Sequence, residues 1–237
     1  MPKATDLNKI KETTKAIFDA VKIEPVDMGI VQHPFVDSNI VPYRKEGNKD
    51  FDLLDLQNRD DFLLYREWFF KQIDNETELF KIYMRVRSPW KLTWLKYAKE
   101  YMSDKDFAEF LADAWVTEDN PNADVNVSVR TSTSWFKKAK KEYLMDESEY
   151  QIWNSLPENL TVYRGVSPGR VALGLSWTTN KEKAEWFQHR FETVRNTKGF
   201  LQKANINKKH ILAYFNSRGE EEMVVDVLAI KDLVEII

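Results

Sequence analysis

Three short segments in the last third of the chain carry side chains that could act together on one ligand. They are Arg164-Gly165, Ser176-Trp177-Thr178 and Glu220-Glu221-Glu222, and each lies in or beside an apolar stretch with strand character. An arginine at a strand end presents a planar, permanently charged fork that suits a diphosphate. A glycine next to it lets the backbone approach a planar amide closely. These residue types therefore favour a ligand that carries both groups.

The serine and the glutamates suit chemistry at a sugar carbon. A serine in a strand is a small neutral hydrogen-bond donor that can hold a neighbouring group. A glutamate at the mouth of a strand can bind a ribose hydroxyl and stabilise the cationic sugar that forms when a glycosidic bond breaks. Alternation along an extended chain puts Glu220 and Glu222 on one face and Glu221 on the other. Glu220 could then orient or deprotonate an acceptor.

The order Arg, then Ser-x-Thr, then Glu-x-Glu resembles the R-S-E class of mono-ADP-ribosyltransferases. The segments VYRGV, GLSWTTNKEKAEWF and ILAYFNSRGEEEMVV look like the family's arginine strand, its serine strand with the following helix, and its glutamate-bearing loop and strand. The resemblance covers about residues 156–237. It implies a toxin-like bacteriophage or bacterial effector that moves ADP-ribose from NAD to an acceptor and releases nicotinamide.

The resemblance implies a role for each matching residue. Arg164 would hold the NAD phosphates, and the backbone of Gly165 would grip the nicotinamide carboxamide. Ser176 would support both the catalytic glutamate and the nicotinamide ribose. Glu222 would be that catalytic glutamate, while Glu220 would be the acceptor-side glutamate that accompanies arginine modification in this family.

The remaining predicted contacts to NAD come from the serine strand and the helix after it. Thr178 and Phe187 complete the predicted NAD-binding set, and Trp177 and Trp186 are further candidates for stacking on the nicotinamide. Trp177 departs from the family, which often has a small residue there, so its indole could change the shape of the pocket. The segment Ser132-Thr133-Ser134 also spells the serine motif, but it precedes the arginine and is interpreted as a helix cap.

The predicted acceptor is an arginine of a host protein. Two alternatives remain open: an NAD glycohydrolase built on the same site, and a non-enzymatic inhibitor that binds a host protein. NAD is expected as a substrate and no metal is expected. Neither nucleic acid nor a membrane is an expected partner.

Composition limits the classes of chemistry that are possible. The 237-residue chain contains no cysteine and only three histidines. Thiolate nucleophiles, disulfides, zinc–thiolate sites and iron–sulfur clusters are excluded, and a multi-histidine metal site is not expected. The formal net charge of −3 gives no general attraction to nucleic acid. The sequence has no run of about 18 apolar residues and no apolar leader, so we expect no membrane span and a cytoplasmic location.

The elements that must position these residues make the chain an α+β protein. Residues 1–50 are predicted to form a helix and an extended arm, 51–155 a helical part that includes a helix at 51–73, and 156–237 the catalytic β-core. The resemblance implies that this core is split and mostly antiparallel, as in ADP-ribosyltransferases, with N-terminal helices packed on it. Strands are predicted at 160–164, 173–178, 210–215, 223–228 and 233–237. Ser103 and Asn180 are predicted helix caps.

Overall fold

The computed structural model describes residues 3–27, 30–44, 47 and 50–237. Within this part the chain forms two units, one of residues 3–102 and one of residues 103–237. This division does not coincide with the predicted boundaries at residues 50 and 155, because helices between 103 and 155 pack on the C-terminal strands. None of the helices in the described ranges is both long and apolar enough to span a bilayer.

In its described residues, the first unit combines four α-helices with two short antiparallel strand pairs. Its elements are α1 (Leu7–Ala20), β1 (Pro25–Asp27), β2 (Ile30–Val31), β3 (Ile40–Tyr43), β4 (Asp52–Asp55), α2 (Arg59–Asn75), α3 (Leu79–Tyr83) and α4 (Lys91–Ala98). β1 pairs with β2 and β3 with β4, so much of the predicted extended arm is paired. The helix predicted at 51–73 begins only at Arg59, because Asn58 caps it by accepting from the backbone N–H groups of Asp60 and Asp61.

The α-helices of the second unit are α5 (Asp104–Thr117), α6 (Val129–Lys138), α7 (Lys141–Leu144), α8 (Glu147–Ser155), α9 (Lys181–His189), α10 (Glu192–Arg195) and α11 (Val227–Ile230). Four of these seven helices, α5, α6, α8 and α9, begin at a polar residue whose side chain caps the helix. Ser103 caps α5 and Asn180 caps α9, as the sequence predicts. The interpretation of Ser132-Thr133-Ser134 as a cap is wrong, because these residues lie inside α6 and Ser128 accepts from Thr131 N instead.

Six strands of the second unit form two three-stranded antiparallel sheets. They are β5 (Asn159–Val166), β6 (Ser176–Trp177), β7 (Phe200–Asn207), β8 (Ile211–Phe215), β9 (Glu222–Val225) and β10 (Glu235–Ile236). One sheet has the order β10-β7-β5 and the other β6-β9-β8. The sequence pattern predicts no strand at β7, yet β7 pairs with β5 along its whole length. The strand predicted at 223–228 ends at Val225, and a helical turn follows.

The two sheets meet at one bridge and then separate. Tyr163 N donates to Thr178 O at 2.7 Å, and Thr178 N donates to Tyr163 O at 2.9 Å. Continuing this antiparallel register would place Gly165 opposite Ser176. No backbone hydrogen bond joins those two residues within the described part of the chain, and Ser176 O accepts from the Arg164 side chain instead. The chain is thus an α+β protein with small antiparallel sheets, split beside the predicted site.

Candidate active site

A cleft-shaped cavity, whose empty space counted out into open solvent is about 850 Å³, lies where the two sheets separate. All seven predicted site residues line it: Arg164, Gly165, Ser176, Thr178, Phe187, Glu220 and Glu222. The fold therefore brings together side chains that are distant along the sequence.

Glu222 is held in the cavity by two side chains from other elements. It is the first residue of β9, and its Oε1 accepts from Trp115 Nε1 of α5 at 2.9 Å. Ser176 of β6 also hydrogen-bonds to this carboxylate. Burial raises the pKa of Glu222, and the two hydrogen bonds and the charge of Arg164 only partly oppose that increase. The carboxylate is therefore fixed in position within a poorly solvated site.

A loop residue determines the direction of the serine's hydrogen bond. Asn122 Nδ2 donates to Ser176 Oγ at 3.1 Å, and Asn122 Oδ1 accepts from Leu175 N at 2.6 Å. A hydroxyl group has a single hydrogen to donate. Since Ser176 Oγ accepts from Asn122, that hydrogen is free to point at Glu222. Ser176 can therefore donate to the carboxylate while it accepts from Asn122.

Arg164 is buried, with 8% of its surface exposed, and it holds the strands beside it. Nη1 donates to Ser176 O at 2.8 Å and Nη2 to Val171 O at 2.8 Å. Its Nε is buried and has no hydrogen-bond partner within the described residues. Burial lowers the pKa of Arg164 to about 10, against the opposing charge of Glu222. Two of its five N–H donors are therefore structural.

Gly165 lies in β5 against helix α9. A Cβ atom at this position would stand 1.9 Å from Ala184 O and 2.4 Å from Gln188 N, so only glycine lets the helix pack this closely. Tyr163 uses its N–H and C=O in the bridge to β6, and groups two residues apart in a strand point the same way. The N–H and C=O of Gly165 therefore face the cleft between the sheets.

Thr178 connects the bridge between the sheets to helix α9. Its backbone completes the bridge, and its Oγ1 accepts from Asn180 N at 3.1 Å. Asn180 in turn caps α9 by accepting from Lys183 N. Thr178 thus lines the cavity and also sets where the helix that carries Phe187 begins.

Among the three aromatic candidates, Phe187 is the best placed to stack on a ligand. It projects from α9 into the cavity and is half-buried. Trp177 also lines the cavity, but it is only 2% exposed and its indole N–H is bound to Gly174 O. Trp186 is 59% exposed and does not line the cavity.

The side chains of the three consecutive glutamates point in different directions: Glu220 and Glu222 face the cavity and Glu221 does not. This is the predicted arrangement, but its cause differs from the predicted one. Glu220 and Glu222 line the cavity, while the Glu221 carboxylate pairs with Lys183 Nζ at 2.7 Å. Strand β9 begins only at Glu222, and Glu221 has a left-handed φ of +50°. The turn before the strand therefore separates the side chains, rather than alternation along an extended chain.

Several arginines without a signal in the sequence surround the cavity. Arg170 and Arg190 flank the Phe191 ring, 5.2 Å and 5.0 Å from its centroid. Burial and the nearby charge of Arg190 lower the pKa of Arg170. Arg218 also lines the cavity, with its Nε 3.4 Å from Glu220 Oε1. Arg170 and Arg190 form a cationic rim beside Phe191, and the acidic side chains of Glu118 and Asp119 also line the cavity.

The second unit thus supplies a cavity with a hydrogen-bonded carboxylate, a second carboxylate and a cationic rim. In the ranges that the structure describes, no three His, Asp or Glu side chains are grouped in a way that could hold a metal ion. A scan against protein-family models and searches of curated proteins and solved structures found no match to this chain. Its function is therefore inferred from the chemistry of this cavity.

Proposed function

We propose that the cavity binds NAD and that the protein transfers ADP-ribose from NAD to an acceptor, with release of nicotinamide. The observation that supports this most is the convergence of Arg164, a serine-held Glu222 and a second carboxylate, Glu220, on one cavity. The same residues carry the resemblance to R-S-E mono-ADP-ribosyltransferases. The split between the antiparallel sheets is compatible with a fold of that type.

Glu222 would act on the bond between the ribose and the nicotinamide ring. As this bond breaks, its electron pair moves to the ring, neutral nicotinamide leaves, and positive charge develops on the ribose. A carboxylate next to that charge stabilises the transition state, and the effect is large in a site with little water. Trp115 and Ser176 already hold the carboxylate, so little reorganisation is needed during the reaction.

The other predicted groups would orient the dinucleotide. The amide of nicotinamide would bind the exposed backbone N–H and C=O of Gly165, and its ring would stack on Phe187. The diphosphate would lie near Arg164 and the cationic rim formed by Arg170 and Arg190, all of which line the cavity. These roles differ from the expectation drawn from the sequence, which named only Arg164 as a residue that holds the phosphates.

Glu220 would serve the acceptor. It lines the cavity with 29% of its side chain exposed, which suits a carboxylate that receives a cationic group and removes its proton. We propose a protein arginine as the acceptor. The setting would be a bacterial cytoplasm in which a bacteriophage or bacterial effector modifies a host protein.

A second candidate function is NAD hydrolysis at the same site. The observation that favours it is the ion pair between Arg218 and Glu220, which leaves the acceptor-side carboxylate already engaged. Water could then be the acceptor of ADP-ribose. The two functions share the bond-breaking step and differ only in the final product.

The test measures nicotinamide release from NAD, with and without bacterial extract, and follows the ADP-ribose by mass spectrometry. We expect release and labelled protein. Glu222→Gln should reduce the release rate by about 10²–10³-fold, because one preformed electrostatic group is lost. Glu221→Gln is the matched control, since Glu221 lies outside the cavity. Label found only in free ADP-ribose would favour hydrolysis, and no release at all would contradict both enzymatic functions.

A further inference from the structure

One guanidinium of the protein itself occupies the acceptor side of the cavity. Arg218 belongs to the turn between β8 and β9, and its Nε lies 3.4 Å from Glu220 Oε1. Its Nη1 donates to Val116 O of α5 at 2.9 Å. The cavity that Arg218 and Glu220 line is the one that contains Glu222. A guanidinium therefore already sits where Glu220 would receive one from an acceptor.

The turn that carries Arg218 is anchored at both ends. Asn216 N donates to Glu149 Oε1 at 2.7 Å, and Asn216 Oδ1 accepts from Glu221 N at 3.1 Å. Gly219, with a φ of +68°, bends the chain between these anchors. The turn thus holds Arg218 at the cavity, where its side chain lies beside Glu220 and is still partly exposed to solvent.

The contacts of Arg218 are those of an accessible side chain and not of a core residue. The side chain is 42% exposed and its partner Glu220 is 29% exposed. Ion pairs with this accessibility contribute little to stability. Arg218 can therefore move within the cavity at little cost, and the turn keeps it close to the site of reaction.

We propose that Arg218 is a site of self-modification, so that the protein transfers ADP-ribose to its own chain in an intramolecular step. This proposal rests on the transferase function proposed above. The bond between ribose C1′ and the nicotinamide nitrogen breaks, and its electrons leave with neutral nicotinamide. A bond forms between C1′ and a terminal guanidine nitrogen of Arg218. That nitrogen loses one proton, which passes to Glu220 and then to solvent.

The position of Arg218 has kinetic consequences. Donor and acceptor are held in one cavity, so the step does not depend on an encounter between two protein molecules. The rate constant for self-labelling should be unchanged when the protein is diluted tenfold. Labelling should stop near one ADP-ribose per chain, because the attached group would fill the cavity that Arg218 lines.

The experiment incubates the full chain with NAD that is radiolabelled in the adenylate phosphate. Nicotinamide release, label per chain and the modified residue are measured separately, the last by peptide mass spectrometry. Arg218→Lys keeps the positive charge next to Glu220 but removes the guanidine. Arg130→Lys is the matched control, because Arg130 is exposed on α6 and does not line the cavity. A thermal melt establishes that both variants are folded.

We expect ADP-ribose on Arg218, a concentration-independent rate, loss of at least 90% of the label in Arg218→Lys and unchanged labelling in Arg130→Lys. Nicotinamide release without label on Arg218 would overturn self-modification and leave the NAD-cleaving function standing. Label on Arg218 whose rate falls in proportion to dilution would overturn the intramolecular step. Absence of nicotinamide release would overturn the function proposed above and this proposal with it. If Arg218→Lys does not fold, the proposal is tested on the unaltered protein alone: the peptide that contains Arg218 must carry the added mass of one ADP-ribose, and its absence would overturn self-modification.

Discussion

Replacing Trp115 with phenylalanine would remove one hydrogen bond from Glu222 and keep an aromatic ring in the core. The indole N–H donates to Glu222 Oε1 at 2.9 Å, and Trp115 is 1% exposed. A hydrogen bond to a charged group contributes about 1.5–3 kcal/mol. Without this bond the ionised, correctly placed carboxylate is less favoured relative to protonated or displaced forms of Glu222, so the rate of nicotinamide release should fall by about 10–100-fold.

The same substitution should change the pH dependence of the reaction. The hydrogen bond from Trp115 favours the ionised carboxylate and lowers the pKa of Glu222, against the increase caused by burial. Without it the pKa rises further, so a higher pH is needed to ionise the group. The ascending limb of the pH–rate profile should therefore move to higher pH, because the ionised carboxylate stabilises the cationic sugar.

Trp153→Phe provides the control for packing effects. The indole of Trp153 also donates one hydrogen bond, at 3.1 Å, but to Ile211 O and outside the cavity. Steady-state nicotinamide release is measured across pH for both variants, with thermal melts to compare stability. The reasoning about Glu222 would be refuted if Trp115→Phe kept the unaltered pH profile, or if Trp153→Phe lowered the rate by the same factor.

Two further predictions concern stability. Gly165→Ala should lower the free energy of unfolding, measured in urea, by more than about 2 kcal/mol. The reason is that the Cβ of the alanine would stand 1.9 Å from the backbone oxygen of Ala184, which cannot move away easily. A decrease below about 0.5 kcal/mol, the size seen at ordinary surface sites, would contradict this contact. Burial lowers the pKa of Lys141 to about 8 in the folded protein, from 10.5 in the unfolded chain. Between pH 8 and pH 10.5 the unfolded chain therefore binds more protons than the folded protein, so the free energy of unfolding should rise with pH over this range. Lys141→Met should remove that rise in melts from about pH 7 to 10, and an unchanged slope would show that Lys141 is not its source.

The site is predictable from the sequence where its signal is local. Arg164, Ser176 and Glu222 each stand in a short segment with strand character, and their order along the chain carries the resemblance that predicts a common site. Trp115 and Asn122 carry no such signal. Their bonds to the site span 107 and 54 residues of chain, and each lies in a helix or loop whose sequence is ordinary. Only the tertiary fold brings them to Glu222 and Ser176.

The fold is predictable where the apolar pattern is regular. β8 is buried at all five positions, and its apolar run predicts it. β7 is not predicted because polar side chains interrupt its apolar pattern. Gln202, in particular, is only 4% exposed although its type is normally found at the surface. The prediction of a helix from residue 51 is wrong because pairing with β3 fixes residues 52–55 as a strand, which composition alone does not reveal.

The contacts of the cavity residues indicate which of them would be retained, and which would be substituted, in a homologue that has lost the activity. Gly165 admits the backbone of α9, and Arg164 ties down two carbonyl groups, so selection for folding alone would retain both. Glu222 is a buried carboxylate whose ionised form is disfavoured by its surroundings, so folding gains little from its charge. An inactive descendant would therefore keep the glycine and the arginine and lose the glutamate first.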